Sequence, residues 1–167
     1  MTDIAFYHLT ASEAQDALPQ LIAKTIAAGK KALISSDKNQ LSALSAALWS
    51  YGHTAPQGKS SYNGANTGDA SWLPHGITGK DDDDADLCPI WFTAETGQNA
   101  NKAEFSFYLD GVMPQDASTF ERIFILFNGL DDTAVSNART QWKSLRDEGY
   151  TLSYWTQDDR GAWQKTA

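Results

Sequence analysis

The chain has 167 residues, of which 41% are hydrophobic and 20% are charged, a composition typical of one soluble globular domain. Its 21 Asp and Glu outnumber 13 Lys and Arg, so the net charge is −8, which disfavours direct binding of DNA or RNA. The single cysteine, Cys88, excludes an internal disulfide and a cysteine-rich zinc site. No apolar run approaches the roughly 18 residues that a membrane span needs, and no secretion signal is visible, so we expect a cytoplasmic protein.

The N-terminal segment predicts a strand followed by a helix. Residues 3–9 are apolar and aromatic, which is typical of a buried strand. Thr10 and Glu13 have the spacing of a capping box, so a helix should begin there. Pro19 predicts a kink or a later helix start, because proline inside a helix removes a hydrogen bond. Gly29 should end the helix.

A second strand and helix follow, and this order predicts the fold class. The strand is expected over residues 30–35, and Asp37 with Gln40 again has capping-box spacing. Alternating strands and helices predict an α/β fold with a mostly parallel central sheet flanked by helices. A short helix is expected over residues 115–120. Further strands, the last two forming a C-terminal β-hairpin, are predicted over residues 89–94, 104–109, 122–127, 150–156 and 162–165.

Hydrophobic periodicity stops over residues 50–87. The stretch is rich in glycine, serine and asparagine and contains a run of aspartates at 81–84. Such a length without regular structure indicates a loop that is either functional or partly disordered. Residues 71–76 (SWLPHG) form an apolar island, which either anchors this loop on the core or contacts a partner. We expect a single domain over residues 1–167, with a long irregular loop or insertion at 52–87.

The C-terminal helix, which should begin near residue 131, carries a basic stripe. Arg139, Lys143 and Arg146 follow i, i+4, i+7 spacing beside an apolar face, and Trp142 lies near the boundary between them. A basic stripe beside an aromatic side chain suits an acidic ligand that has an apolar end. The alternative is structural, because Arg and Lys stems flank the buried face of many helices while their charges stay in water.

Sequence motifs for catalysis, nucleotides and metals are missing. Residues 74–81 (PHGITGKD) fail as a phosphate loop, because Pro74 replaces its first glycine and Asp81 its Ser or Thr. No Gly-x-Ser-x-Gly or His-Glu-x-x-His motif occurs, and the aspartate run lacks the glycine and glutamate of a calcium loop. We therefore predict no enzyme activity and no catalytic, cofactor-binding or metal-binding residues. The histidines are scattered at His8, His53 and His75.

Short motifs rich in aromatic residues and glycine are distributed along nearly the whole chain. They lie at residues 6–9 (FYHL), 48–49 (LW), 73–76 (LPHG), 89–90 (PI), 122–129 (RIFILFNG), 138–139 (AR), 141–143 (QWK), Gly149, 154–155 (YW), Gly161 and Trp163. Taken in this order, they resemble the chi subunit family of the bacterial DNA polymerase III holoenzyme, a clamp-loader accessory subunit. The chain looks like the longer members, with residues 52–70 as an insertion relative to the shorter ones.

The resemblance implies a Rossmann-like fold without nucleotide chemistry and a non-catalytic adaptor in DNA replication. The holoenzyme itself has DNA-directed DNA polymerase activity. Chi proteins link the clamp loader, through the psi subunit, to the acidic C-terminal tail of the single-stranded DNA-binding protein, and in some members a helicase takes the place of psi. A replisome location follows, with no direct contact to nucleic acid or membrane and no cofactor.

The resemblance also implies two binding surfaces on this chain. For the tail it implies basic and aromatic residues of the C-terminal helix, here Arg139, Trp142, Lys143 and Arg146. Val135 stands where the family can have a further lysine, so one electrostatic contact is in question. For psi or a helicase it implies Trp49 and Trp72.

Two other hypotheses remain open from sequence. One is a small-molecule or nucleotide-binding α/β domain, or an enzyme, with its ligand site at the C-terminal ends of the strands. The other is a structural interaction domain that binds an unrelated acidic partner.

Overall fold

The computed structural model describes residues 1–51, 73, 75–94 and 98–167. The strands in these residues are β1 (Asp3–Leu9), β2 (Ala32–Ser36), β3 (Gly76–Ile77), β4 (Ile90–Ala94), β5 (Phe105–Tyr108), β6 (Arg122–Asn128), β7 (Thr151–Gln157) and β8 (Trp163–Lys165). The α-helices are α1 (Ala14–Ala27), α2 (Leu41–Trp49) and α3 (Asp132–Asp147).

The strands form one eight-stranded sheet in the order β3-β4-β2-β5-β6-β1-β7-β8. All neighbouring strands are parallel except β7 and β8, which form an antiparallel C-terminal hairpin. The predicted α/β fold, Rossmann-like with a mostly parallel sheet, helices and a terminal hairpin, is therefore confirmed.

Helices cover both faces of the sheet. Side chains alternate along β1, so that Ala5 and Tyr7 pack with residues of α1 and α2, while Ile4 and Phe6 pack with residues of α3. Burial on both faces explains why the central strands are continuously apolar rather than alternating. The same rule explains Trp155, which follows Tyr154 in β7 and points to the α1 face, where it stacks on Tyr7.

The predicted start of α1 at Thr10 is wrong. The helix begins at Ala14 with Glu13 as its N-cap, and the Glu13 N–H donates to Asp16 Oδ2 at 3.3 Å. The N–H of Thr10 instead donates to Oε1 of Gln157 at 3.1 Å. A contact from the far end of the chain therefore satisfies the donor that the local capping pattern would have used.

The other predictions for the first two helices are partly confirmed. Helix α1 continues through the buried Pro19, and Gly29 follows its end with φ +73, the left-handed conformation that favours glycine. The predicted capping box at Asp37 does not form, because its Oδ1 accepts from Asn39 N at 2.7 Å within a turn. Helix α2 begins only at Leu41.

The stretch predicted to be irregular contains short elements in its described part. Strand β3 pairs with β4, and residues Asp82–Leu87 form a 3₁₀ helix. The short helix expected over 115–120 is also a 3₁₀ turn, Ala117–Thr119. Trp72 lies outside the described residues.

Candidate functional site

The start of helix α3 is fixed by two local features. Asp131 caps the helix, with its Oδ1 accepting from the N–H of Thr133 at 2.8 Å. Two residues earlier, Gly129 donates its N–H to the Leu9 carbonyl at 2.7 Å. A Cβ built on Gly129 would overlap the His8 ring, so glycine allows the chain to approach the end of β1 this closely.

The orientation of α3 follows from its apolar residues. Ala138 and Leu145 are buried against the sheet. Trp142 is half-buried, with its ring 5.2 Å from that of Phe6 in an edge arrangement and 5.7 Å from that of Tyr154. Trp142 therefore closes one side of the helix–sheet interface and exposes part of its ring beside it.

The basic stripe lies on the side of α3 that faces β7, and we call it the basic flank (Arg139, Lys143 and Arg146). All three side chains are exposed. Arg146 is 3.8 Å from Asp147 Oδ1, an exposed and therefore weak ion pair. Within the part of the chain that the structure describes, neither Arg139 nor Lys143 forms an ion pair with a carboxylate. Both cations are therefore available to an external anion.

Two half-buried side chains below the basic flank were not predicted as site residues. Tyr154 Oη and His8 Nδ1 are 2.9 Å apart, and the His8 ring packs 5.1 Å from Phe127. Burial raises the pKa of the Tyr154 hydroxyl, and the positive charge of Arg139 opposes this rise, so the guanidinium lies within electrostatic reach of the ring. Parallel pairing of β1 with β7, which aligns Phe6 with Tyr154, is the signal that could have revealed them.

The opposite side of α3, which we call the cleft flank (Asn137 and Gln141), borders a cleft of about 960 Å³. The cleft lies where β1, β5 and β6 end and where α1 and α3 leave for opposite faces of the sheet, the usual ligand position in such folds. Its lining includes the carboxylates of Glu13, Asp16, Asp110 and Asp131, and no lysine, arginine or histidine among the described residues. Burial raises the pKa of Asp110, and the neighbouring Asp37 charge adds to this rise. The cleft is electrostatically unsuited to phosphate.

Trp49, predicted to contact psi or a helicase, ends helix α2 and is 47% exposed. Its ring centre lies 4.8 Å from that of His75. His75 Nδ1 and the Leu73 carbonyl are 2.7 Å apart, so Nδ1 carries a proton, and in the neutral ring Nε2 accepts from the Ser45 hydroxyl, also at 2.7 Å. Burial lowers the pKa of His75, which favours this neutral ring. The second predicted residue of this surface, Trp72, is outside the described residues.

Metal sites and membrane-spanning helices are both absent from the described residues. Among them, no group of three His, Cys, Asp or Glu side chains is placed to hold a metal ion. No described helix combines the length and apolar character that crossing a bilayer requires.

Comparison with known protein families identifies the family of this chain. The chain matches the family model of the DNA polymerase III chi subunit, HolC, over residues 1–55 and 66–153. The chain belongs to the chi subunit family of DNA polymerase III. The predicted family is thereby confirmed, and the residues left unmatched between the two segments fall within the expected insertion at 52–70. No curated protein matches the chain.

Membership of the chi family gives the protein a role in DNA replication, as an accessory rather than a catalytic subunit of DNA polymerase III. The matched residues include the basic flank, Trp142 and Trp49. Tyr154 lies just beyond the last matched residue, and so does strand β8.

Proposed function

We propose that this chi subunit is a replisome adaptor that binds the acidic C-terminal tail of the single-stranded DNA-binding protein through Arg139, Trp142, Lys143 and Arg146. The observation that supports this most directly is the exposure of Arg139 and Lys143, without a carboxylate partner in the described residues, beside the half-exposed ring of Trp142. The protein has a net charge of −8, so most of its surface repels anions. A local patch of exposed positive charge can still attract one.

The chemistry of the tail fits this flank. Its acidic side chains and terminal carboxylate pair with guanidinium and ammonium groups, and its apolar last residue packs beside the Trp142 ring. Exposed ion pairs contribute about 0–1 kcal/mol each, so binding is modest and weakens as salt rises. The net negative charge meanwhile keeps the protein away from DNA itself.

The second surface of the adaptor is the region of Trp49 and Trp72. This surface binds psi, which joins the adaptor to the clamp loader, or a helicase in the place of psi. Support comes from Trp49, whose large apolar ring is 47% exposed at the end of α2. Trp49 lies on α2 and the basic flank on α3, and these helices cover opposite faces of the sheet, so both surfaces can be occupied at once.

The test is a titration with a peptide copying the acidic C-terminal tail of the single-stranded DNA-binding protein from the same organism. Fluorescence anisotropy of the labelled peptide is followed at low and moderate salt. We expect saturable, salt-sensitive binding that weakens clearly when the last residue of the peptide is removed. A scrambled acidic peptide is the control: equal binding of both would favour an unrelated acidic partner, and no binding at low salt would refute the tail site.

The competing hypothesis of a ligand site at the strand ends is tested separately. A ligand that binds only the native state raises the melting temperature. With the cleft lined by carboxylates, we expect no shift from a panel of nucleotides. A reproducible upward shift with any of them would support a nucleotide site instead.

A further inference from the structure

The surface beside the basic flank is aromatic. Tyr154 lies between Trp142, with ring centres 5.7 Å apart, and Phe127, with ring centres 6.2 Å apart. The ring of Phe6 lies beneath, stacked 6.5 Å from Tyr154. Phe6 and Phe127 are buried, whereas Tyr154, Trp142 and His8 each keep part of their surface exposed. The exposed aromatic surface in this place is therefore supplied by these last three side chains.

We infer that Tyr154 is a specificity-determining residue of the tail site, and that His8 positions it. The last side chain of the tail rests on the Tyr154 ring beside Trp142, while the terminal carboxylate pairs with Arg139 directly alongside. The inference rests on the proposed tail binding and names the residue that reads the end of the peptide.

The placement of charge supports this assignment. Arg139 lies one helical turn before Trp142, whose ring centre is 5.7 Å from that of Tyr154, so a carboxylate bound by Arg139 would lie near the Tyr154 ring. In a peptide ending in an apolar residue, the terminal carboxylate and the last side chain leave the same carbon atom. A cation and an apolar ring side by side therefore select a chain end over an internal acidic residue.

His8 fixes the direction of the tyrosine. Its Nδ1 lies 2.9 Å from Tyr154 Oη, and the ring itself is confined between Phe127 and the backbone of Gly129. Without this hydrogen bond the phenol ring loses its anchor at the hydroxyl end. Because Tyr154 lies beyond the residues that match the family model, its role here does not come from that match.

The experiment measures binding of two peptides, the full tail and the tail without its last residue, by wild type and variants of the whole chain. Burial of an apolar side chain on a ring contributes about 1.5 kcal/mol or more, roughly tenfold in affinity. We expect Tyr154→Ala to weaken the full tail about tenfold and to leave the truncated tail unchanged. Trp155→Ala is the matched control, since it removes a half-buried aromatic from the same strand on the other face of the sheet.

The positioning role of His8 is tested by a double-mutant cycle. Tyr154→Phe keeps the ring and removes the hydroxyl, and His8→Leu removes the imidazole to which the hydroxyl is hydrogen-bonded. Each should weaken the full tail by about two- to tenfold, as expected for one hydrogen bond, and the double variant should lose no more than either one. Additive losses would overturn the role of His8.

The outcomes separate this inference from the function on which it rests. Failure of the wild type to bind either peptide would overturn the tail site as a whole. Wild-type binding with a Tyr154→Ala variant that keeps its full preference for the complete tail would overturn only the role of Tyr154. Equal weakening of both peptides would do the same, because a general loss of structure does not discriminate a chain end. Melting curves of all variants show which ones remain folded.

Discussion

The two sides of helix α3 differ in charge and in what they can bind. On the basic flank, Arg139 and Lys143 stand exposed above an aromatic floor. On the cleft flank, Asn137 and Gln141 border a cavity whose ionised groups are carboxylates. One helix of 16 residues thus separates a surface that attracts anions from one that repels them. Screening by salt limits the range of each surface's electrostatic field to about 8 Å at physiological salt, so the two surfaces can act independently.

The negative charge of the cleft explains why the usual ligand position of this fold is not the candidate site. In parallel α/β sheets the crevice at the strand ends binds phosphate when glycine-rich loops and helix N-termini face it. Here Glu13 and Asp131 occupy the helix starts that border the crevice. These carboxylates stabilise the helices from within the chain, and they leave the crevice negative. We therefore expect anions to bind at the basic flank of α3 and not in the crevice.

Removing the Trp142 side chain should have the strongest effect on both stability and tail binding. Trp→Ala in a core costs about 3–5 kcal/mol, and because Trp142 is half-buried we expect Trp142→Ala to lower the free energy of unfolding by about 2 kcal/mol. Tail binding should fall as well, since the last side chain of the tail loses the Trp142 ring as a contact. Urea denaturation and peptide titration measure the two effects. Trp142→Phe, which retains a ring against Phe6, should recover most of the stability, and unchanged affinity in Trp142→Ala would contradict the site.

A second change acts on the placement of the whole helix. In Gly129→Ala the new methyl group would overlap the His8 ring, and relieving this overlap should cost about 1–3 kcal/mol of stability. Because the shift begins at the end of β1, the His8–Tyr154 hydrogen bond should be disturbed and binding to the full tail reduced. Thermal denaturation measures the first effect. Leu130→Ala, one residue later and 77% exposed, should leave the melting temperature nearly unchanged.

The most direct comparison of the flanks uses a pair of alanine substitutions on each, which removes two positive charges from the basic flank and two neutral amides from the cleft flank. Exposed ion pairs contribute up to about 1 kcal/mol each, so Arg139→Ala with Lys143→Ala should weaken tail binding by up to about 2 kcal/mol, roughly 30-fold. The salt dependence of binding should become shallower. Asn137→Ala with Gln141→Ala is the matched pair on the cleft flank and should bind normally. Similar losses in the two double variants would remove the distinction between the flanks.

The fold class and the basic side of α3 could be predicted from sequence, because both depend on local patterns of residues. Apolar runs separated by helical segments gave the α/β order, and the spacing of Arg139, Lys143 and Arg146 placed them on one side of a helix before the fold was known. The predicted bounds of strand β6 agree with the structure to within one residue, since its five central residues are all apolar and all buried.

Features that depend on distant contacts could not be predicted in this way. The His8–Tyr154 hydrogen bond joins residues 146 apart in sequence and requires that β7 lie beside β1. The start of α1 was placed too early because Gln157, near the other end of the chain, binds the N–H of Thr10. The acidity of the cleft likewise arises only when α1, the end of β5 and the start of α3 meet.

Substitution of Asp110, which lines the cleft, should change stability only slightly and in a way that depends on pH. A carboxyl group whose pKa is raised in the folded state binds more protons there than in the unfolded chain, so stability falls as pH rises through that window and stays lower at pH 7. Asp110→Asn removes this penalty and keeps an acceptor for the backbone of Asp37. Asn also suits the φ of +56 at this position.

We therefore expect Asp110→Asn to melt slightly higher than wild type at pH 7 and to lose this advantage at a pH below the ordinary pKa of aspartate. Melting curves across this range measure the difference. Tail binding should not change, because Asp110 lines the cleft, which borders the side of α3 opposite the basic flank. A higher melting temperature at pH 7 together with normal binding would show that the two flanks are electrostatically independent. A change in tail affinity would show that the negative cleft acts on the basic flank across the helix.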